Sequence, residues 1–133
     1  MIMLRGIVLH ACLSLSCAGS PPQNDEVHQR IIDIVNERVQ AYLHDPLNAD
    51  PPLYRKCSDL VNSIKKQIDD RLPFVQCDKR TGYWTGNIEP AFRIRWDSDR
   101  DTTKKWLAHD WLVIRYREYV WHVDPCSMQF PTL

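Results

Sequence analysis

The chain has 133 residues, 44% of them apolar and 26% charged, with 17 basic residues against 17 acidic ones. That length and mix are those of one globular domain and exclude a low-complexity disordered chain. Zero net charge leaves no basic footprint for nucleic acid and no polybasic arm for a membrane surface.

Residues 1–18 read as a signal peptide. Arg5 precedes an apolar run over residues 6–15, and small residues follow, so cleavage is expected after Ala18. The run is about 10 residues, short of the ~20 that a membrane-spanning helix needs. Lipoprotein processing is the alternative. Cys17 would then become a lipidated first residue, although Ser14 occupies a place where an aliphatic residue is usual. The expected location is secreted or periplasmic, with a lipid anchor as the alternative. Residues 19–25 read as a linker, and residues 26–133 as a single α+β domain.

Val27, Ile31, Ile34, Val35, Val39 and Tyr42 recur at helical spacing. Asn24 or Asp25 is the expected cap, and Asp45-Pro46 the expected end, because a residue before proline is driven out of the helical region. A second stripe follows with Leu53, Cys57, Leu60, Val61, Ile64 and Ile68. Asp50 as N-cap and Pro51 at the first helical position would start this helix, and Pro73 would stop it. Cys57 on the apolar stripe is expected to be a buried thiol or half of a bridge.

Beyond Pro73 the period changes. "FVQC" reads as a short strand and "DKRTG" as a turn. "AFRIRW" alternates, with Phe92, Ile94 and Trp96 on one face and Arg93 and Arg95 on the other, which predicts a half-buried strand. "DSDRDTTKK" reads as a charged, solvated loop joining two strands of a hairpin. Residues 106–124 read as one long bent strand, with a hairpin at residues 115–118 as the alternative, since no Gly, Asn, Asp or Pro marks a turn there. Leu112, Ile114, Tyr116 and Val120 would share one face, and Trp111, Val113, Tyr119, Trp121 and Val123 the other. Helices first and strands after predict an α+β fold: two helices packed on a curved antiparallel sheet of about four strands.

This layout, closing on "YREYVWHVDP", resembles the cystatin-like and nuclear transport factor 2-like group over residues 26–125. The resemblance implies helices lying in the lap of a curved sheet. No QxVxG segment is present, so protease inhibition in the cystatin manner is not implied.

Three cysteines lie beyond the leader, and export would permit a disulfide. Cys77 and Cys126 both close strand-like segments and are the expected pair. His109 and Asp110 are neighbours among tryptophans, but adjacent strand residues point to opposite faces. His122 and Asp124 share a face and lack a third ligand, so no metal is expected. His44-Asp45 and Asp69-Asp70 read as helix-end surface. Arg93, Arg95, Trp111, Arg115, Arg117 and Trp121 would form an arginine–aromatic surface on neighbouring strands, of the kind enriched at interfaces. The expected function is therefore a small exported binding protein, an inhibitor, immunity-type partner or secreted effector, acting on another protein without a cofactor. The alternatives are a small enzyme using His109, Asp110 and His122 in the concave sheet face, and an envelope lipoprotein held by Cys17.

Overall fold

The computed structural model describes residues 3–8, 22–84, 87–98 and 107–129. The lipidation candidate Cys17, the cleavage position Ala18 and Trp106 lie outside them. In chain order the elements are β1 (Met3–Val8), α1 (Asn24–Leu43), α2 (Cys57–Arg71), β2 (Gln76–Trp84), α3 (Pro90–Ser98), β3 (Leu107–Tyr116) and β4 (Tyr119–Asp124). Short 3-10 turns cover Pro46–Asn48 and Ser127–Gln129. No helix among the described residues is long and apolar enough to cross a membrane.

α1 buries the stripe that its spacing predicts: Val27, Ile31, Ile34, Val35 and Val39. It begins one residue earlier than the expected cap, with Gln23 at the N-cap, because Val27 N–H already donates to Gln23 O. Asp25 and Glu26 fall in the first turn, where negative charge suits the helix dipole. Tyr116 Oη donates to Pro22 O at 2.7 Å and ties the entry of α1 to the sheet.

α2 starts at Cys57, not near Asp50. Residues 51–56 form turns in which Leu53 and Arg55 take φ of 59° and 57°, so the backbone there cannot be helical. Leu53 is nevertheless buried, and its N–H donates to Asn48 O. From Cys57 the helix buries Leu60, Val61, Ile64 and Ile68 and ends before Pro73, as the spacing predicts.

β2, β3 and β4 form an antiparallel sheet in the order β2-β3-β4, and β1 pairs antiparallel along the outer edge of β4. The sheet is uncurled, where the resemblance implied a curved one. β2 runs straight through the "DKRTG" segment, because the long β3 offers a partner for every residue from Gln76 to Trp84. The "AFRIRW" strand is not formed. These residues belong to the helix α3, with Pro90 at its first position, where a fixed φ favours helix, and Phe92 N–H donating to Glu89 O. Phe92 is buried and Ile94 exposed.

Residues 107–124 make a hairpin, not a single bent strand. A two-residue turn, Arg117-Glu118, joins Tyr116 to Tyr119. Arg117 supplies the left-handed residue with φ 54°, a role usually given to Gly or Asn, and its guanidinium lies over the Tyr116 ring. The turn resets the facing. Ile114 pairs with Trp121 and Leu112 with Val123, so these four share the core face. α2 packs on β2, β3 and α1, and the core runs from Ile31 and Ile34 through Ile64 and Ile68 to Leu112 and Ile114. Ile64→Ala, at the centre of this layer, is expected to cost about 2–5 kcal/mol of folding stability, read from urea denaturation.

Candidate active site

Cys57 is the first residue of α2. The helix ladder begins at Leu60, whose N–H donates to Lys56 O, so the N–H groups of Cys57, Ser58 and Asp59 lie outside it. A sulfur at this position feels the positive end of the helix dipole, which favours thiolate.

The Cys57 sulfur rests against β3. It accepts the Asp110 N–H at 3.2 Å, and in its protonated form donates to Asp110 O at 3.1 Å. His109 Nδ1 lies 3.4 Å from the same sulfur. The other ring nitrogen, Nε2, is 2.7 Å from Asp124 Oδ2 at the end of β4. Thiol, imidazole and carboxylate thus stand in line, the arrangement by which a base activates a nucleophile and a third group orients the base. The second Asp124 oxygen, Oδ1, accepts the Cys126 N–H at 3.1 Å.

These contacts set the charge. The neighbouring Cys126 thiol is the largest influence on Cys57 and lowers it. Burial opposes it, His109 and the Asp110 N–H assist it, and the thiol is lowered to about 6. Burial pulls His109 down, but its hydrogen bonds to Asp124 and Cys57 outweigh this and raise it to about 9. Between those values the pair is thiolate and imidazolium, and the two titrations belong to the pair rather than to either group. Cys77 behaves oppositely: burial pushes its thiol up to about 12.

Two neighbours confine His109. The Trp111 ring stacks beside it, with centroids 6.1 Å apart. Gly82, the cross-strand partner of His109, leaves space for that ring, since a Cβ there would meet the Trp111 six-membered ring at 3.2 Å. Gly82→Val is expected to displace Trp111 and slow modification of Cys57 roughly tenfold through misplacement of the imidazole, measured as an acylation rate.

The Cys77–Cys126 disulfide expected from sequence is not formed: Cys57, Cys77 and Cys126 are all free thiols. Cys77 sits on β2 opposite Ile114, beside the Lys65 and Asp69 charges of α2, whereas Cys126 neighbours Cys57 at the other end of that helix. Of the residues expected for an enzyme, His109 is central. Asp110 is buried beside it, but its carboxylate turns to β2, accepting Thr81 Oγ1 at 2.7 Å, with Lys79 Nζ at 3.9 Å. Only its backbone reaches Cys57. His122 is exposed on β4 opposite Val113, and Asp124 is engaged by His109 rather than by His122. Among the described residues, no group of three His, Cys, Asp or Glu side chains is arranged to hold a metal.

The arginine–aromatic surface does not assemble as expected. Arg93 and Arg95 are on α3, with the Arg95 guanidinium over the Tyr54 ring, while Arg115 and Arg117 lie at the β3–β4 turn. Trp121 is in the core, stacked between His28 and Tyr119, and Trp111 is beside His109. Sequence reasoning missed Cys57 and Asp124 as partners of His109. Starting α2 at Asp50 put Cys57 inside the helix and hid its place at the N-terminus. Reading a continuous strand hid the fold-back that brings Asp124 to His109.

No known protein family, curated protein or solved structure matches this chain.

Proposed function

We propose that this protein is a cysteine-dependent acyl-transfer enzyme. The observation that carries the reading is the line from Cys57 Sγ through His109 to Asp124, with steps of 3.4 Å and 2.7 Å. The Cys57 thiolate attacks the carbonyl carbon of an amide or ester. The N–H groups opening α2 face the developing oxyanion, in the manner of an oxyanion hole. His109 gives its proton to the departing amine or alcohol, leaving an acyl thioester on Cys57. His109 then takes a proton from water or a second amine, which attacks the thioester and restores the thiolate. Asp124 is a positioning residue that keeps Nε2 protonated and the Nδ1 edge toward sulfur.

Export remains part of the proposal and rests on the arrangement of residues 1–18; cleavage after Ala18 would remove β1 and leave the outer edge of β4 unpaired. The binding-partner reading loses its main support once Arg93 and Arg95 are off the sheet, so the enzyme reading is preferred.

The test is acylation by a p-nitrophenyl ester, followed by intact mass and peptide mapping. A thioester confined to Cys57 supports the proposal. No adduct, or acyl groups spread equally over Cys57, Cys77 and Cys126, rejects it. Iodoacetamide alkylation adds a pH criterion. Thiolate is lost as pH falls through about 6, so Cys57 reactivity should reach half its plateau there, while an ordinary thiol would do so near 9. Acyl turnover should also fall as pH rises through about 9, where His109 loses the proton it donates.

A further inference from the structure

We infer that the acyl donor is an extended peptide, which adds as a strand to β3 beyond the end of β4 and so lays its scissile carbonyl against Cys57. This rests on the acyl-transfer reading and names the substrate class of that site.

β3 is longer than the strand that flanks it. It runs from Leu107 to Tyr116, but β4 pairs only with its residues 112–116. Continued by two residues past the Leu112–Val123 pair, that register would set Pro125 opposite Asp110. Proline has no N–H to give to the Asp110 carbonyl, so the ladder stops short of it. The Cys126 N–H turns back onto Asp124 Oδ1 at 3.1 Å, and a 3-10 turn over Ser127–Gln129 follows in place of further strand.

The nucleophile stands where β4 stops. Cys57 Sγ meets both backbone groups of Asp110, the N–H at 3.2 Å and the O at 3.1 Å, the two groups that a strand partner would use. Residues two apart in a strand turn their N–H and C=O to the same edge. Ala108 therefore presents its pair to the edge where Cys57 sits, one step beyond the sulfur. Its β2 partner, Tyr83, lies across the opposite edge. Ala108 is exposed, and among the described residues no strand pairs with it on the Cys57 side. An N–H and C=O on an open edge are a template for a further extended backbone. A peptide supplies that backbone, with main-chain hydrogen bonds to Ala108 giving affinity. The same bonds hold the adjoining carbonyl in line for attack. The thiolate then adds to the carbonyl carbon, and the bond to the amine or alcohol breaks. The leaving group departs with the His109 proton, and the acyl half stays on Cys57 as a thioester.

The experiment gives the reduced full-length chain two acyl donors. One is p-nitrophenyl acetate, which has no peptide backbone. The other is a depsipeptide with three alanines on each side of one ester bond. Cys57 acylation by each is followed by intact mass in the wild type and in Ala108→Pro. Proline is tolerated in a strand where its N–H would face an open edge, so the β2–β3 ladder keeps its bonds. The ratio of depsipeptide rate to acetate rate is expected to fall about tenfold in the variant, the effect of one or two backbone hydrogen bonds. A second measurement leaves the protein untouched. Single N-methyl groups are placed in turn on the depsipeptide amides. One of them, or two at alternate positions, should slow wild-type acylation about tenfold while their neighbours do not. If Ala108→Pro does not fold, this scan decides alone. An unchanged ratio in a folded variant, or N-methyl groups tolerated throughout, overturns the inference. So does a dimer that Ala108→Pro dissociates without changing the ratio, which would give the edge to a second copy. Acylation by p-nitrophenyl acetate alone rejects the peptide substrate and keeps the acyl-transfer reading. No acylation of Cys57 by either donor rejects both.

Discussion

Replacing Cys57 by alanine is expected to lower acyl turnover by about 10⁴-fold or more, because the covalent step loses its nucleophile. Neither Cys77 nor Cys126 can substitute. Cys77 is buried on β2 with its thiol raised to about 12, and Cys126 is buried with its thiol held protonated beside Cys57. Cys57→Ser should be almost as inactive, since a hydroxyl is far less acidic than a thiol and the contacts that lower the Cys57 thiol would leave it protonated. Cys57 is half-buried at a helix start, so loss of its sulfur leaves the core layer of Ile64 and Leu112 intact. Circular dichroism should therefore be unchanged while turnover vanishes. Turnover within tenfold of wild type would end the proposal.

Asp124→Asn carries the second largest effect, an expected loss of about 10²–10⁴-fold. The substitution keeps size and shape, and the asparagine oxygen can still accept the Cys126 N–H. Its amide nitrogen then faces His109 Nε2 as a donor. A neutral imidazole must carry its proton on Nδ1, the nitrogen facing sulfur, and cannot take the thiol's proton. Removing the carboxylate also removes the leading force that raises His109, so the alkaline limb of the pH–rate profile should move below about 9. A residue that only packed would lower activity without moving that limb. An unshifted limb with wild-type rate would show that Asp124 does not orient His109.

Much of the helical half was legible in sequence, because periodicity alone decides which face is buried. Val27 to Val39 and Leu60 to Ile68 occupy the core that their spacing predicts. The sheet half was less legible, and for identifiable reasons. "AFRIRW" satisfies a two-residue alternation over only six residues, and Pro90 with the Glu89 carbonyl tips it to helix instead. The β3–β4 turn uses Arg117 in the left-handed region, so no glycine advertised it. The triad depended on both ends of that hairpin. His109 stood out beside tryptophan and aspartate, yet its carboxylate partner is not the adjacent Asp110 but Asp124, across the hairpin. Cys57 was assigned to packing because its helix was started too early, where backbone at Leu53 and Arg55 is left-handed.

The two halves of the triad differ in how far apart they lie along the chain. His109 and Asp124 are separated by 15 residues within one hairpin, whereas Cys57 and His109 are separated by 52. Closing the shorter loop costs less entropy and belongs to local folding, while the longer one closes only when α2 docks on β3. During synthesis Cys57 emerges well before the residues that activate it. The nascent thiol therefore has ordinary reactivity and acquires its nucleophilic character with the last long-range contact. Reactivity at Cys57 is in this sense a timer for the completed fold, and the chain is chemically latent until it has one.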